Sequence, residues 1–133
     1  MKKNNQILIG THNKGKFKEL SFLLPKKLKK IAPSFLNIKS PAETGKSYSA
    51  NSKIKAIHFC KYSKLNSISD DSGLSINCLN GKPGIYSARW AKRYGGFYKA
   101  MKKIIKMVNI KNKKNKKQNT EAEFICSISF KKY

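Results

Sequence analysis

Along this chain the spacing of hydrophobic and polar positions switches between two periods, and each switch predicts a new element. Gln6-Ile7-Leu8-Ile9 is a short apolar run of the kind a buried strand carries. It passes through Gly10-Thr11-His12-Asn13 into a helical pattern with Phe17, Leu20 and Leu24 on one face, stopped near Pro25. Residues 28–38 predict a second strand, limited by Pro33, and Ser40-Pro41 and Thr44-Gly45 mark a loop. A helix over about 47–62 follows, with Ala50, Ile54, Ile57 and Lys61 expected down one side. Next come a strand at 67–70, an acidic turn at Asp70-Asp71-Ser72-Gly73, a strand at 74–79 and the turn Asn80-Gly81-Lys82-Pro83-Gly84. A helix over about 96–108 presents Phe97, Met101, Ile104 and Val108, and residues 111–117 read as a mobile basic linker. Residues 123–130 alternate as a strand does, Phe124, Cys126, Ile128 and Phe130 on one face and Ser127 and Ser129 on the other. Strands and helices interleave without an internal repeat, which is the α/β class.

Composition narrows this further. A length of 133 residues predicts one domain spanning 1–133, and 39% hydrophobic with 11% aromatic residues is a globular balance. No apolar run is long enough to cross a bilayer, and the Met-Lys-Lys start leads into a strand rather than a signal peptide, so no membrane partner is expected. Cys60, Cys78 and Cys126 are odd in number and lack CxxC spacing; they read as isolated thiols of a reducing, cytoplasmic protein. A formal charge of +24 asks for a polyanion such as nucleic acid or a phosphorylated substrate. Nearly all of it is lysine, however, with Arg89 and Arg93 the only arginines, as an AT-rich coding bias would produce without any binding role. Aromatic residues are not interleaved with the lysines as a base-stacking surface requires.

Against that charge, the acids stand out. There are six Asp and Glu against thirty Lys and Arg, and two of the six are adjacent at Asp70-Asp71. Paired carboxylates at a strand end suit a divalent cation and the steering of a water molecule, although Asp, Ser and Gly also form ordinary turns. Upstream, Thr11-His12-Asn13-Lys14-Gly15-Lys16 joins a strand directly to a helix, which aims free backbone N–H groups and the helix dipole at one point. Phosphate binding and plain N-capping by Thr11 or Asn13 are both open here, and the Walker A spacing is absent. A triphosphate would need both features, cations and N–H donors along its oxygens and a metal to neutralise charge.

The ordered set Thr11-x-Asn13-x-x-Lys16-x-x-Glu19, Glu43-Thr44-Gly45, Asn51 with Lys55-Ala56, Asp70-Asp71-Ser72-Gly73-Leu74 and Gly81-x-Pro83-Gly84-Ile85-Tyr86-Ser87-Ala88-Arg89 resembles the inosine triphosphate pyrophosphatase (Ham1-like) family from about Ile7 onward. The resemblance implies an elongated Ham1/Maf-type fold with a central mixed sheet flanked by helices, and a homodimer. It implies Mg²⁺-dependent hydrolysis of ITP, dITP and XTP to the monophosphate and pyrophosphate. By position, Thr11, His12, Asn13, Lys14, Gly15 and Lys16 would hold the triphosphate with Lys55, Ser72 would touch substrate, and Arg89 would lie near the site. Asp71 would be the proton acceptor and a metal ligand, supported by Asp70 and Glu43. The chain departs from the family at Ala42 and Ala50, where many members carry Glu. The family's purine-reading Phe-Gly-Tyr-Asp-Pro and Ser-His-Arg segments do not occur before Tyr133, so the sequence reads as the N-terminal portion of a longer protein, inactive or poorly selective alone. The alternative is a repurposed basic nucleic-acid-binding protein, tested by salt-dependent DNA binding without pyrophosphate release.

Overall fold

Ile7, Leu8 and Ile9 are all buried, so β1 (Gln6–Ile9) is apolar on both faces, as an interior strand of a parallel arrangement must be. The computed structural model describes residues 5–133. β1 pairs in parallel with β2 (Lys29–Ile31), Gln6 opposite Lys29 and Leu8 opposite Ile31. On its other side it pairs in parallel with β3 (Ser67–Ile76), Leu8 opposite Ser67 and Ile9 opposite Ile68. β4 (Ala122–Lys131) completes the order β2-β1-β3-β4. The Asn77 N–H donates to Glu121 O and the Tyr133 N–H to Asn66 Oδ1, so β4 runs antiparallel to β3 and the sheet is mixed. The helices are α1 (Lys14–Leu23), α2 (Tyr48–Ser63), α3 (Ser87–Arg93) and α4 (Phe97–Lys113).

Backbone packing divides into two compact units, one of residues up to Asp71 with Ser127–Tyr133 and one of Ser72–Cys126. The core of the first is Leu8, Ile31, Phe59 and Leu65, with Ile38 packed against it. In the second, α4 packs on α3 and on the 3₁₀ turn Asn77–Leu79, burying Ile76, Ala91, Ala100 and Ile104.

Several expected elements stand, among them β1, α1 ending before Pro25, β2 stopping before Pro33, and β4. Others change. The acidic turn does not exist: Asp70-Asp71-Ser72-Gly73 lies within a continuous ten-residue β3, because strand pairing overrides the turn preference of these residues. The buried face of α2 is Asn51, Ser52, Lys55, Ala56, Phe59 and Cys60, not Ala50, Ile54, Ile57 and Lys61, and Ile57 and Lys61 are exposed. On α4 the stripe is displaced as well. Ala100 and Ile104 are buried, whereas Phe97 and Met101 are 64% and 51% exposed.

α4 also continues through Lys113, into the stretch expected to be a mobile linker. There the buried Asn112 donates to Asn119 O at 2.9 Å and accepts from the Asn119 N–H at 3.0 Å, closing the lysine-rich loop on itself. α3 was not foreseen at all. In β4 the expected alternation holds, and its Phe124, Cys126, Ile128 and Phe130 face is the exposed one. Ser129 Oγ instead lies 2.6 Å from Ser52 Oγ of α2, and Ser127 Oγ lies 3.3 Å from it.

Candidate active site

β1 ends at Ile9, opposite Ile68 of the parallel β3, so the chain leaves β1 two residues before Asp70 on the neighbouring strand. Gly10 makes the exit from β1. Its N–H donates to Ile68 O at 2.7 Å, and a Cβ there would overlap Ser69 Oγ and the Phe59 ring, so only glycine lets the strands stay this close. The chain then turns. Thr11 Oγ1 accepts from the Asn13 N–H, and Asn13 Oδ1 accepts from the Lys16 N–H, each at 3.1 Å. Asn13 is thus the N-cap of α1, and Lys14 and Gly15 form its exposed first turn, where backbone donors have no intrahelical acceptor.

Lys16, the next residue along, carries its Nζ to 3.1 Å from Asp70 Oδ2. α2 delivers Asn51 and Lys55 on one face, four residues apart. Lys55 Nζ lies 3.3 Å from Glu43 Oε1, and Asn51 Oδ1 accepts from the Gly45 N–H at 2.8 Å, so the 43–45 loop is held to α2 at two points. Side chains alternate along a strand, so the adjacent carboxylates acquire different neighbours: Asp70 meets Lys16 of α1, whereas Asp71 is influenced by Glu43, Lys55 and Asn51.

Asp71 is 5% exposed, and its Oδ2 is buried without a hydrogen-bond partner. Burial raises its carboxyl above the usual carboxylate value and the nearby Glu43 charge raises it further, against the opposing pull of Lys55, the Asn51 hydrogen bond and Lys16. A carboxylate in that setting holds a proton more readily than an exposed one, as a proton acceptor requires.

Of the expected residues, the structure gathers Lys16, Lys55, Glu43, Asp70 and Asp71 in the first unit, with the 11–15 turn leading into α1. The ring of His12 is engaged elsewhere, its Nε2 at 2.9 Å from Ile38 O, and His58 holds Lys39 O in the same way at 2.8 Å. Ser72 and Arg89 belong to the second unit, where the Arg89 guanidinium stacks 5.0 Å from the Tyr86 ring centre. There Ser87 Oγ donates to Gly84 O at 2.6 Å and accepts from the Leu74 N–H at 2.9 Å, pinning the Gly84–Arg89 segment to β3. Among the described residues no three His, Cys, Asp or Glu side chains form a group placed to hold a metal ion, and Lys16 and Lys55 stand against two of the three expected ligands. Asn51 and Gly45 were quoted in the sequence motifs but given no role. The signal was there, a buried-type polar residue one helical turn before Lys55.

Comparison with known proteins agrees with this architecture. The Ham1 family model matches residues 7–133. The dITP/XTP pyrophosphatase of Rhodopseudomonas palustris is 42% identical over 104 residues, covering 77% of this chain and 50% of that protein. That of Zymomonas mobilis subsp. mobilis is 36% identical over 125 residues, 93% of this chain and 58% of the relative. The Ham1 protein of Coxiella burnetii superposes with a TM-score of 0.78 at 28% identity, over 96% of this chain and 63% of that one. The Staphylococcus aureus Ham1 protein gives 0.74 at 32% identity, over 96% and 64%. The chain spans about half the length of the first of these curated relatives.

Proposed function

This chain belongs to the Ham1 family, and from that premise we propose that its site hydrolyses ITP, dITP and XTP to the nucleoside monophosphate and pyrophosphate. The observation that carries the reading is the buried Asp71, its Oδ2 without a hydrogen-bond partner and its proton affinity raised, with Lys16 of α1 and Lys55 of α2 close enough to act on it. In the proposed reaction water attacks the α-phosphorus, the bond to the α–β bridging oxygen breaks, and pyrophosphate leaves. Asp71 takes the proton from the attacking water. Lys16 and Lys55 trade their carboxylate partners for phosphate oxygens, and the N–H groups of the Thr11–Lys16 turn add donors along the triphosphate.

The donor chemistry fits Mg²⁺: Asp71, Asp70 and Glu43 are hard oxygen ligands, and the unpartnered Asp71 Oδ2 is a ligand atom in waiting. A bound Mg²⁺ would supply charge neutralisation of the phosphates and a more acidic water. The same reading places the protein in the cytoplasm as a homodimer, which its free Cys60, Cys78 and Cys126 support as to redox setting. Among the described residues no helix is long and apolar enough to cross a membrane. The test is pyrophosphate release from ITP against ATP in an assay coupled to inorganic pyrophosphatase. Release from ITP in preference to ATP is expected. Salt-dependent DNA binding without any release would favour the second reading, which rests on the +24 charge.

A further inference from the structure

The geometry points to Asn51 as a positioning residue, the joint that fixes the 43–45 loop, and with it the Glu43 carboxylate, on α2. Asn51 is 2% exposed, and its Oδ1 accepts from the Gly45 N–H at 2.8 Å, inside the protein, where a lost partner is costly. One amide thus ties the loop to the helix. The Glu43 charge that the loop carries acts on the buried Asp71, whose Oδ2 has no hydrogen-bond partner.

Gly45 shows how tight the joint is. A Cβ at that position would stand 2.6 Å from Asn51 Oδ1 and 2.7 Å from the Ala50 Cβ, so the loop reaches this depth only through a glycine. Two residues earlier, Glu43 is tied to Lys55, one turn beyond Asn51 on the same helix face. Asn51 and Lys55 therefore act as two pins holding one acidic loop, whose Glu43 charge bears on Asp71. Asn51 touches no substrate atom in this scheme and acts through Glu43.

This rests on the proposed hydrolysis, with Asp71 as proton acceptor. The experiment combines Asn51→Ala, Gly45→Ala and the double variant, with steady-state kinetics on ITP and hydrogen exchange at the Gly45 amide. Misplacing the Glu43 carboxylate beside the proton acceptor by a fraction of an ångström lowers kcat at least about tenfold. KM for ITP stays within about threefold, since the Thr11–Lys16 turn is untouched. Either single variant should give this split, the double variant should be no worse than Asn51→Ala alone, and the Gly45 amide should exchange faster in Asn51→Ala. Folded single variants that keep wild-type kcat, or losses that add in the double variant, would overturn the inference. So would an unchanged Gly45 exchange rate, whatever the activity. Wild-type protein that releases no pyrophosphate while Gly45 protection still depends on Asn51 would sink the hydrolysis reading and leave the joint standing. Should Asn51→Ala not fold, Gly45→Ala decides by the same kinetic split.

Discussion

Helices α2 and α4 are of similar length, and both were assigned from the spacing of apolar side chains, yet they bury opposite kinds of surface. α2 turns Asn51, Ser52 and Lys55 inward with Ala56, Phe59 and Cys60 and leaves Ile57 exposed. α4 buries Ala100 and Ile104, an apolar stripe with one polar residue, Asn112, at its end. The difference is one of employment. α4 is held by apolar area removed from water. α2 is held partly by hydrogen bonds and an ion pair to Gly45, Ser129 and Glu43, so its inner face has to be polar.

If that division is right, substitutions on the two surfaces should separate activity from stability. The largest effect is expected at the carboxylate α2 serves. Asp71→Asn should lower kcat for pyrophosphate release at least about a hundredfold, with the far-UV circular dichroism spectrum unchanged. Retained turnover would remove Asp71 from the chemistry. On α4 the expectation is the reverse. Ile104→Ala should lower unfolding free energy by about 2–4 kcal/mol in urea titration, with pyrophosphate release per folded molecule unaltered. The exposed Phe97→Ser, seven residues earlier, should change stability by less than about 0.5 kcal/mol.

A smaller effect is expected at the cations. Lys16→Ala or Lys55→Met should raise KM for ITP or lower kcat by about tenfold, through loss of a charge-assisted phosphate contact. Unchanged parameters would make that lysine one more solvated charge of a basic chain. The smallest expected effect concerns pH. The folded state raises the Asp71 carboxyl above 3.8, so the protonated form is favoured by folding. Its contribution to stability is fully present below 3.8 and is lost as pH rises through the raised folded value. Asp71→Asn, which cannot ionise, should therefore raise Tm at neutral pH and leave it nearly unchanged below pH 3.8. A Tm gain of equal size at both pH values would show that burial of the charge is not its source.

The β1–α1 junction could be read before any coordinates because its signals are local. Gly10 allows the close exit, Asn13 caps the helix, and Pro25 follows its end, each acting within a few residues. The sheet edge could be read only in part. Alternation over 123–130 identifies a strand, but alternation has two faces and does not say which is inward. Ser129 turns inward because Ser52 of α2 accepts it, a partner 77 residues away in the chain. Asp70-Asp71 failed as a turn because β3, which pairs with β1 at Ser67 and Ile68, runs on through them to Ile76.

By itself, then, the sequence determined the α/β alternation, the strand-to-helix turn and the identity of the acids and lysines at issue. Those depend on period, capping and chemistry within a short stretch of chain. The tertiary structure decided which partner each charge receives. Asp70 goes to Lys16 and Glu43 to Lys55, pairings across 54 and 12 residues of sequence that no local pattern specifies. It also decided that Asp71 is buried, and burial is the first cause of its raised proton affinity.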